Sequence, residues 1–306
     1  MQISSKLTVR MAAVLAVAAL ALTGCNNAEE APTSGDGSAT FDPTTVAKDD
    51  ALIAMLPAAL KDKTTLTVGS DTSYEPAEFL AADGQTPVGY DVDLAKAIGA
   101  VLGKEVKVQT SEFATILPSL GSKYDLGMSS FTINPERSEA VNFVSYFNAG
   151  ILWAVPKGNP NNISTDDVCG KKIGVQTGTV EEDPDLKDRS AKCVAEGKPA
   201  VDVISLKNQT DVTTRLVNGS IDAMAADSPI IKNALAKTGD SLETLGEVYD
   251  SAEQGIAIAK SDTEFAAVIE KVVNKLIEDG VYNDIFKAWN NEEGTLSKAV
   301  LNPTAG

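Results

Sequence analysis

Apolar positions along the chain switch repeatedly between a strand period and a helix period. Leu66 and Val68 alternate as a strand that stops at Gly69, and Leu94, Ala97, Ile98, Val101 and Leu102 recur at helical spacing until Gly103. Val106 and Val108 predict another strand, Phe113, Ile116, Leu117 and Leu120 a helix, and residues 124–128 a short apolar strand. A second series follows the turn-rich break Lys157-Gly158-Asn159-Pro160-Asn161. It runs as strands over 172–175 and 201–204, a helix over 210–217, a strand over 221–225 and a helix from Ser228 onward. Phe265, Val268, Ile269, Val272, Val273, Leu276 and Ile277 then form the clearest amphipathic helix. Strands alternating with helices of this length predict a parallel α/β architecture. Apolar strands at 151–155 and 255–259 flank the second series. If both cross between halves, the second half is an insertion into the first, and the crossovers are a hinge for closure on a ligand.

Length agrees with two halves, since 306 residues exceed one small core at roughly 150 residues per domain. The 43% hydrophobic content is ordinary for a globular protein. Net charge is −17 and His is absent, which narrows the chemistry. An acidic chain lacks the positive footprint that nucleic acid requires. Without His, the Ser-His, Cys-His and His-based zinc mechanisms are excluded, and no cofactor or metal is implied.

Residues 1–24 read as a targeting segment. Lys6 and Arg10 precede an apolar run over 11–22 that is short for a membrane span and fits a signal peptide. Leu22-Thr23-Gly24-Cys25 resembles the bacterial lipobox, in which Cys25 is lipidated and becomes the mature N-terminus; an ordinary signal peptide with a free Cys is the alternative. Residues 26–45 are rich in Asn, Ala, Glu, Pro, Thr, Ser, Gly and Asp, a composition that buries too little apolar surface to fold and reads as a tether. A lipid tail on such a chain anchors it to the membrane without spanning it. Cys169 and Cys193 are then an even pair outside the cytosol, expected as a disulfide; a two-Cys metal site lacks further ligands.

The candidate chemistry centres on Ser129-Ser130-Phe131-Thr132-Ile133-Asn134-Pro135-Glu136-Arg137, just past a strand end. Hydroxyls and backbone N–H groups there, with a helix start at Pro135, can surround a small anion, and Arg137 can grip a carboxylate bidentately. The residues alone leave Arg137 between that role and a surface pair with Glu136 or Glu139. Asp227 is open in the same way, between a helix cap ahead of Ser228 and a site carboxylate.

Over residues 60–290 the chain resembles the bacterial solute-binding proteins of amino-acid ABC importers, family 3. The matching motifs are Val68-Gly69-Ser70-Asp71-Thr72-Ser73-Tyr74, Gly89-Tyr90-Asp91-Val92-Asp93-Leu94, the Ser129–Arg137 loop and Gly174-Val175-Gln176-Thr177-Gly178-Thr179. The resemblance implies a two-lobe, periplasmic-binding-protein-like (type II) α/β fold with two hinge crossovers. The lobe boundaries would be 61–154 with 255–306 for lobe one and 155–254 for lobe two, after a lipidated tether and linker over 25–60. It implies that Arg137 pairs with a ligand α-carboxylate, helped by Ser129, Ser130, Thr132 and Thr179, and that Asp227 receives the α-ammonium. Tyr74 and Phe113 would sandwich the side chain, and Asp71 could receive a polar or cationic one. On periodicity alone Phe113 is core, in phase with Ile116 and Leu117. Asp91 and Asp93 are expected to cap and orient the following helix. Ala77 and Glu78 stand where many relatives have an aromatic residue and a Glu, and Val180 stands where a second hydroxyl often sits.

The function this implies is a monomeric, extracytoplasmic, lipid-anchored binding protein, not an enzyme. It would capture a polar α-amino acid, neutral like glutamine or cationic, and deliver it to permease subunits. An enzyme on the same scaffold, of the cyclohexadienyl dehydratase kind, is the alternative, with Glu75 or Glu78 as the conceivable acid.

Overall fold

Two long strands determine the layout, because each belongs to both halves of one sheet. The computed structural model describes residues 42–304. In chain order the helices are α1 (Asp50–Ala54), α2 (Ala58–Lys61), α3 (Tyr90–Val101), α4 (Phe113–Ile116), α5 (Pro135–Ala140), α6 (Lys187–Ala195), α7 (Gln209–Val217), α8 (Ser228–Thr238), α9 (Thr263–Glu278) and α10 (Val281–Ala288). The strands are β1 (Thr65–Ser70), β2 (Ser73–Tyr74), β3 (Glu78–Leu80), β4 (Pro87–Val88), β5 (Glu105–Thr110), β6 (Leu126–Gly127), β7 (Val141–Pro156), β8 (Lys172–Gln176), β9 (Asp202–Leu206), β10 (Ala223–Asp227) and β11 (Leu242–Ala259).

The main sheet has the order β5-β1-β6-β11-β7-β10-β8-β9. Strands β5, β1 and β6 are mutually parallel, as are β10, β8 and β9, and the antiparallel pair β7/β11 joins the two sets. The parallel α/β expectation therefore holds within each set. The crossover strands are longer than the apolar runs at 151–155 and 255–259 that announced them. Register shifts between Leu245 and Tyr249, between Tyr249 and Ala252, and between Gln254 and Gly255 bend β11 where it passes from one set to the other. Gly150 faces this bend, and a Cβ there would meet Ser251 Oγ at 2.6 Å and Tyr249 O at 2.7 Å. Glycine is what lets the two crossovers approach so closely.

Helices cover the sheet through the faces their periodicity predicts. On α9, Phe265, Val268, Ile269, Val272, Val273 and Leu276 are buried, each contributing roughly 1.5–3 kcal/mol over exposure. Tyr90, Phe147 and Phe286 meet at ring distances of 5.3, 5.2 and 4.9 Å and tie α3, β7 and α10 together. The helix expected over Phe113–Leu120 is shorter, passing into a 3-10 turn at Leu117–Ser119. Residues 46–60, included in the linker expected over 25–60, instead carry α1 and α2 and pack Leu52, Leu56 and Leu60 against the core. Cys25 and the targeting segment lie outside the described residues. Among those described, no helix is long and apolar enough to cross a membrane.

Cys169 and Cys193 are joined, with Cα atoms 5.5 Å apart and a separation of 24 positions in sequence. The bridge fastens α6 beside the small core of Trp153, Val175, Leu186 and Ala225. Closing a loop of that size restricts the unfolded chain and is worth about 3 kcal/mol. Replacing both cysteines by Ser is expected to lower stability in urea by about that amount, with no change in the wild-type value when reductant is withheld. Equal unfolding midpoints for the two proteins would show that the bridge adds nothing.

Candidate ligand-binding site

The anion loop begins where β6 ends. Asn134 caps α5 by accepting the Arg137 N–H at 2.8 Å, and Pro135 takes the first helical position, where its missing N–H costs nothing. This fixes Arg137 on the first turn with its side chain turned inward. The guanidinium donates to the Thr132 carbonyl at 2.8 Å and to the Gly178 carbonyl, from the other half of the sheet, at 3.0 Å. It lies 5.4 Å over the Phe113 ring, which stacks on Phe131 at 4.8 Å. Arg137 forms no ion pair among the described residues, so the surface pair with Glu136 or Glu139 is not what holds it. Burial pulls its pKa down, opposed by the charges of Glu181 and Asp227.

The facing half contributes Asp227 at the end of β10. It occupies the N-cap position of α8 but makes no capping bond. Its Oδ2 accepts instead from the Tyr74 hydroxyl at 3.0 Å and from Gln254 Nε2 at 3.0 Å, and its N–H donates to the same Tyr74 oxygen at 3.1 Å. Burial and the nearby Glu181 charge push its carboxyl well above the usual range. Tyr74 sits on the small antiparallel sheet β2-β3-β4, so this contact spans the cleft. Tyr74, Phe113, Ser129, Ser130, Thr132 and Arg137 line one side of a small enclosed pocket. Gln176, Thr179, Val180, Glu181 and Asp227 line the other. About 10 Å³ of free space remains between them, room for about one water molecule. With the walls this close, the space is too small for anything much larger than water.

The loop hydroxyls are held from behind. Ser129 Oγ donates to Glu78 Oε1 at 2.9 Å and accepts the Asp71 N–H at 3.0 Å. Ser130 has a left-handed backbone (φ 52°), uncommon for a residue with a side chain, and its N–H donates to Asp91 Oδ2 at 3.1 Å. Tyr146 donates to the same Asp91 oxygen at 2.7 Å. Gly89 makes this packing possible, since a Cβ there would sit 2.1 Å from the Ala77 carbonyl oxygen. Burial, then the Asp91 charge, pushes the Glu78 carboxyl well up, and burial pushes Asp91 up to about 6. With no cation beside them, these two acids are best satisfied by sharing a proton.

Asp71 is buried, but both oxygens are engaged, Oδ1 by the Ser73 N–H (3.2 Å) and hydroxyl (2.6 Å) and Oδ2 by the Phe113 N–H (2.9 Å). The Thr179 hydroxyl donates to the Gln176 carbonyl at 2.8 Å. Asp93 accepts from Trp289 Nε1 at 2.9 Å, and neither it nor Asp91 caps α3. Glu75 pairs with Lys237, away from the pocket. Glu181 was not anticipated: the run Glu181-Glu182-Asp183 reads as a solvated charge cluster, yet Glu181 is only 2% exposed. Burial pushes its carboxyl up as well.

The site thus has one half-buried cation facing buried carboxylates between two parallel sets of strands in one sheet, and the chain as a whole has counterparts among known proteins. The family model for bacterial extracellular solute-binding proteins, family 3, matches residues 66–292. The chain belongs to that family. It is 37% identical over 251 residues to the arginine-binding protein ArgT of Corynebacterium glutamicum, covering 81% of this chain and 82% of that protein. It is 29% identical over 233 residues to the L-cystine-binding protein TcyJ of Escherichia coli, covering 75% and 84%. A solved structure of an ancestral arginine-binding protein bound to arginine superposes with a TM-score of 0.67 at 31% identity, covering 74% of this chain and 98% of that one. These relatives are named as binding proteins, and the solute-binding protein described here shares their two-lobe type II fold, with β7 and β11 as the crossovers.

The Glu78–Asp91 pair in this solute-binding protein makes stability depend on pH with a definite sign. Both folded pKa values lie above the unfolded ones, so the pair is without cost below the unfolded values, and stability is lost as pH rises through the folded ones. Glu78→Gln leaves an amide that can donate to Asp91 and accept from Ser129. In urea titrations its stability relative to wild type should improve by about 1–3 kcal/mol between pH 4.5 and 7.5. A difference that stays constant across that range would contradict proton sharing.

Proposed function

We propose that this protein captures a free polar α-amino acid between its lobes and presents it to the permease subunits of an ABC importer. The lobes would be residues 61–154 with 255–306 and residues 155–254, and Cys25 would carry a lipid anchor that keeps the monomer at the membrane. The observation that carries the reading is the placement of Arg137 and Asp227 on opposite walls of one enclosed pocket.

A zwitterion supplies the two charges that this pair lacks. Its carboxylate would replace the Gly178 carbonyl as acceptor for the guanidinium, which binds a carboxylate through two parallel, charge-assisted hydrogen bonds. Its ammonium would give the Asp227 carboxylate a cation, and with it a reason to stay ionised despite burial. Each wall holds half of the reader, so a ligand stabilises the closed arrangement by its differential affinity for it. Ser129, Ser130, Thr132 and Thr179 would frame the carboxylate, and Tyr74 and Phe113 the side chain.

Arg137→Ala removes the cation without disturbing the Asn134 cap of its helix. Calorimetry should find amino-acid binding abolished, with the unfolding temperature of the ligand-free protein within a few degrees of wild type. A variant that keeps micromolar affinity would overturn the assignment. A thermal-shift screen of the wild type over the amino acids should find a ligand that adds about 2.7 kcal/mol at 100 times its dissociation constant.

A further inference from the structure

Glu181 is the group in the pocket that the zwitterion leaves without a partner. Its Oε1 is buried and has no hydrogen-bond partner among the described residues, although Thr179 and its own N–H lie against the carboxylate, and the residue as a whole is 2% exposed. It lines the same enclosed space as Arg137, Asp227, Tyr74 and Phe113. The nearby guanidinium does not neutralise it through an ion pair, since its donors go to the Thr132 and Gly178 carbonyls. The Asp227 carboxylate, by contrast, already has two donors, from Tyr74 and Gln254.

A count of charges then specifies the ligand. The pocket walls offer one cation, Arg137, and two carboxylates, Asp227 and Glu181. A neutral amino acid answers Arg137 with its carboxylate and one acid with its ammonium, and leaves the second acid buried with no cation to keep it ionised. The complement of the whole set is a ligand with one anionic and two cationic groups. Asp71 was the position expected to meet a side-chain cation, but Ser73 and Phe113 occupy both its oxygens, and it does not line the pocket.

We infer that Glu181 is the acceptor for a cationic side chain and makes the site selective for basic amino acids of the arginine and lysine class. This rests on the zwitterion reading of Arg137 and Asp227. Val180 beside it adds no polar group, so with Asp227 engaged by the α-ammonium the side-chain cation has the Glu181 carboxylate as its charged contact on that wall.

Citrulline tests the inference, because it matches arginine in shape and replaces the guanidinium by a neutral urea. In calorimetry on the full chain, wild type should bind L-arginine about 10- to 150-fold more tightly than L-citrulline, the span expected for a hydrogen bond to a charged group. Glu181→Gln should bring the two affinities to within a few-fold of each other by weakening arginine alone. Asp71→Asn should leave the arginine-to-citrulline ratio as in wild type, whatever it does to both affinities. A Glu181→Gln protein that keeps the wild-type ratio, or that weakens both ligands equally, would overturn the assignment. A wild type that binds citrulline or glutamine as tightly as arginine would overturn it too, without needing the variant to fold. A wild type that binds no amino acid would instead overturn the zwitterion reading beneath it.

Discussion

The half-buried Arg137 guanidinium, with carboxylates nearby that it does not pair with, is the interaction around which the cleft is built. Isolated charges are costly to bury, and each must find a partner, lose its charge or stay at an interface that can open. Arg137 meets the first condition only with carbonyl dipoles, one of them from the opposite half of the sheet. Asp227 and Glu181 are pushed toward their neutral forms by burial. With the walls together, the charges of the cleft do not satisfy one another, and a ligand of complementary charges would relieve them.

The rest of the fold serves that juxtaposition. Crossovers β7 and β11 hold two parallel sets of strands in one sheet, and the loops at their ends bring the walls together. Contacts outside the pocket also span the cleft. The Gln209 N–H donates to Ser73 Oγ at 3.0 Å, Asn233 donates to the Glu75 carbonyl at 3.3 Å, and Lys207 pairs with Glu112 at 2.7 Å. Most of these are single hydrogen bonds or exposed pairs worth about 1 kcal/mol or less, so they can align the walls and still yield to opening. Beneath the anion loop, Glu78 and Asp91 supply the rigidity that exposed contacts cannot. They hold Ser130 in a backbone conformation it would not keep by itself.

What the sequence revealed follows from which signals are periodic. Helix α9 and strands β1, β5, β8 and β10 were legible because burial on one face or both imposes a pattern. The crossovers were read too short, since Asn142 and Ser145 interrupt the apolar run of β7, and the first half of β11 is largely exposed. Helix α6 was missed because it buries only Cys193 and carries charge elsewhere. In the site, Arg137 and Asp227 were found through motif resemblance, but their orientation was not in the sequence: a residue at an N-cap position, such as Asp227, can cap or turn away. Glu181 was hidden because one inward acid in an acidic run has no compositional mark. Its place directly after Thr179-Val180, at the end of a nominated anion loop, was the available clue.

Whether Arg137 and Asp227 together read both charges of a zwitterion can be measured from the ligand side. Calorimetry would compare the tightest-binding amino acid with its α-carboxamide and its N-acetyl derivative on the unaltered protein. Each derivative should lose at least about 100-fold in affinity, because each leaves one buried charge without its partner. If either derivative binds within a few-fold of the parent, the pair does not read the zwitterion and the account fails.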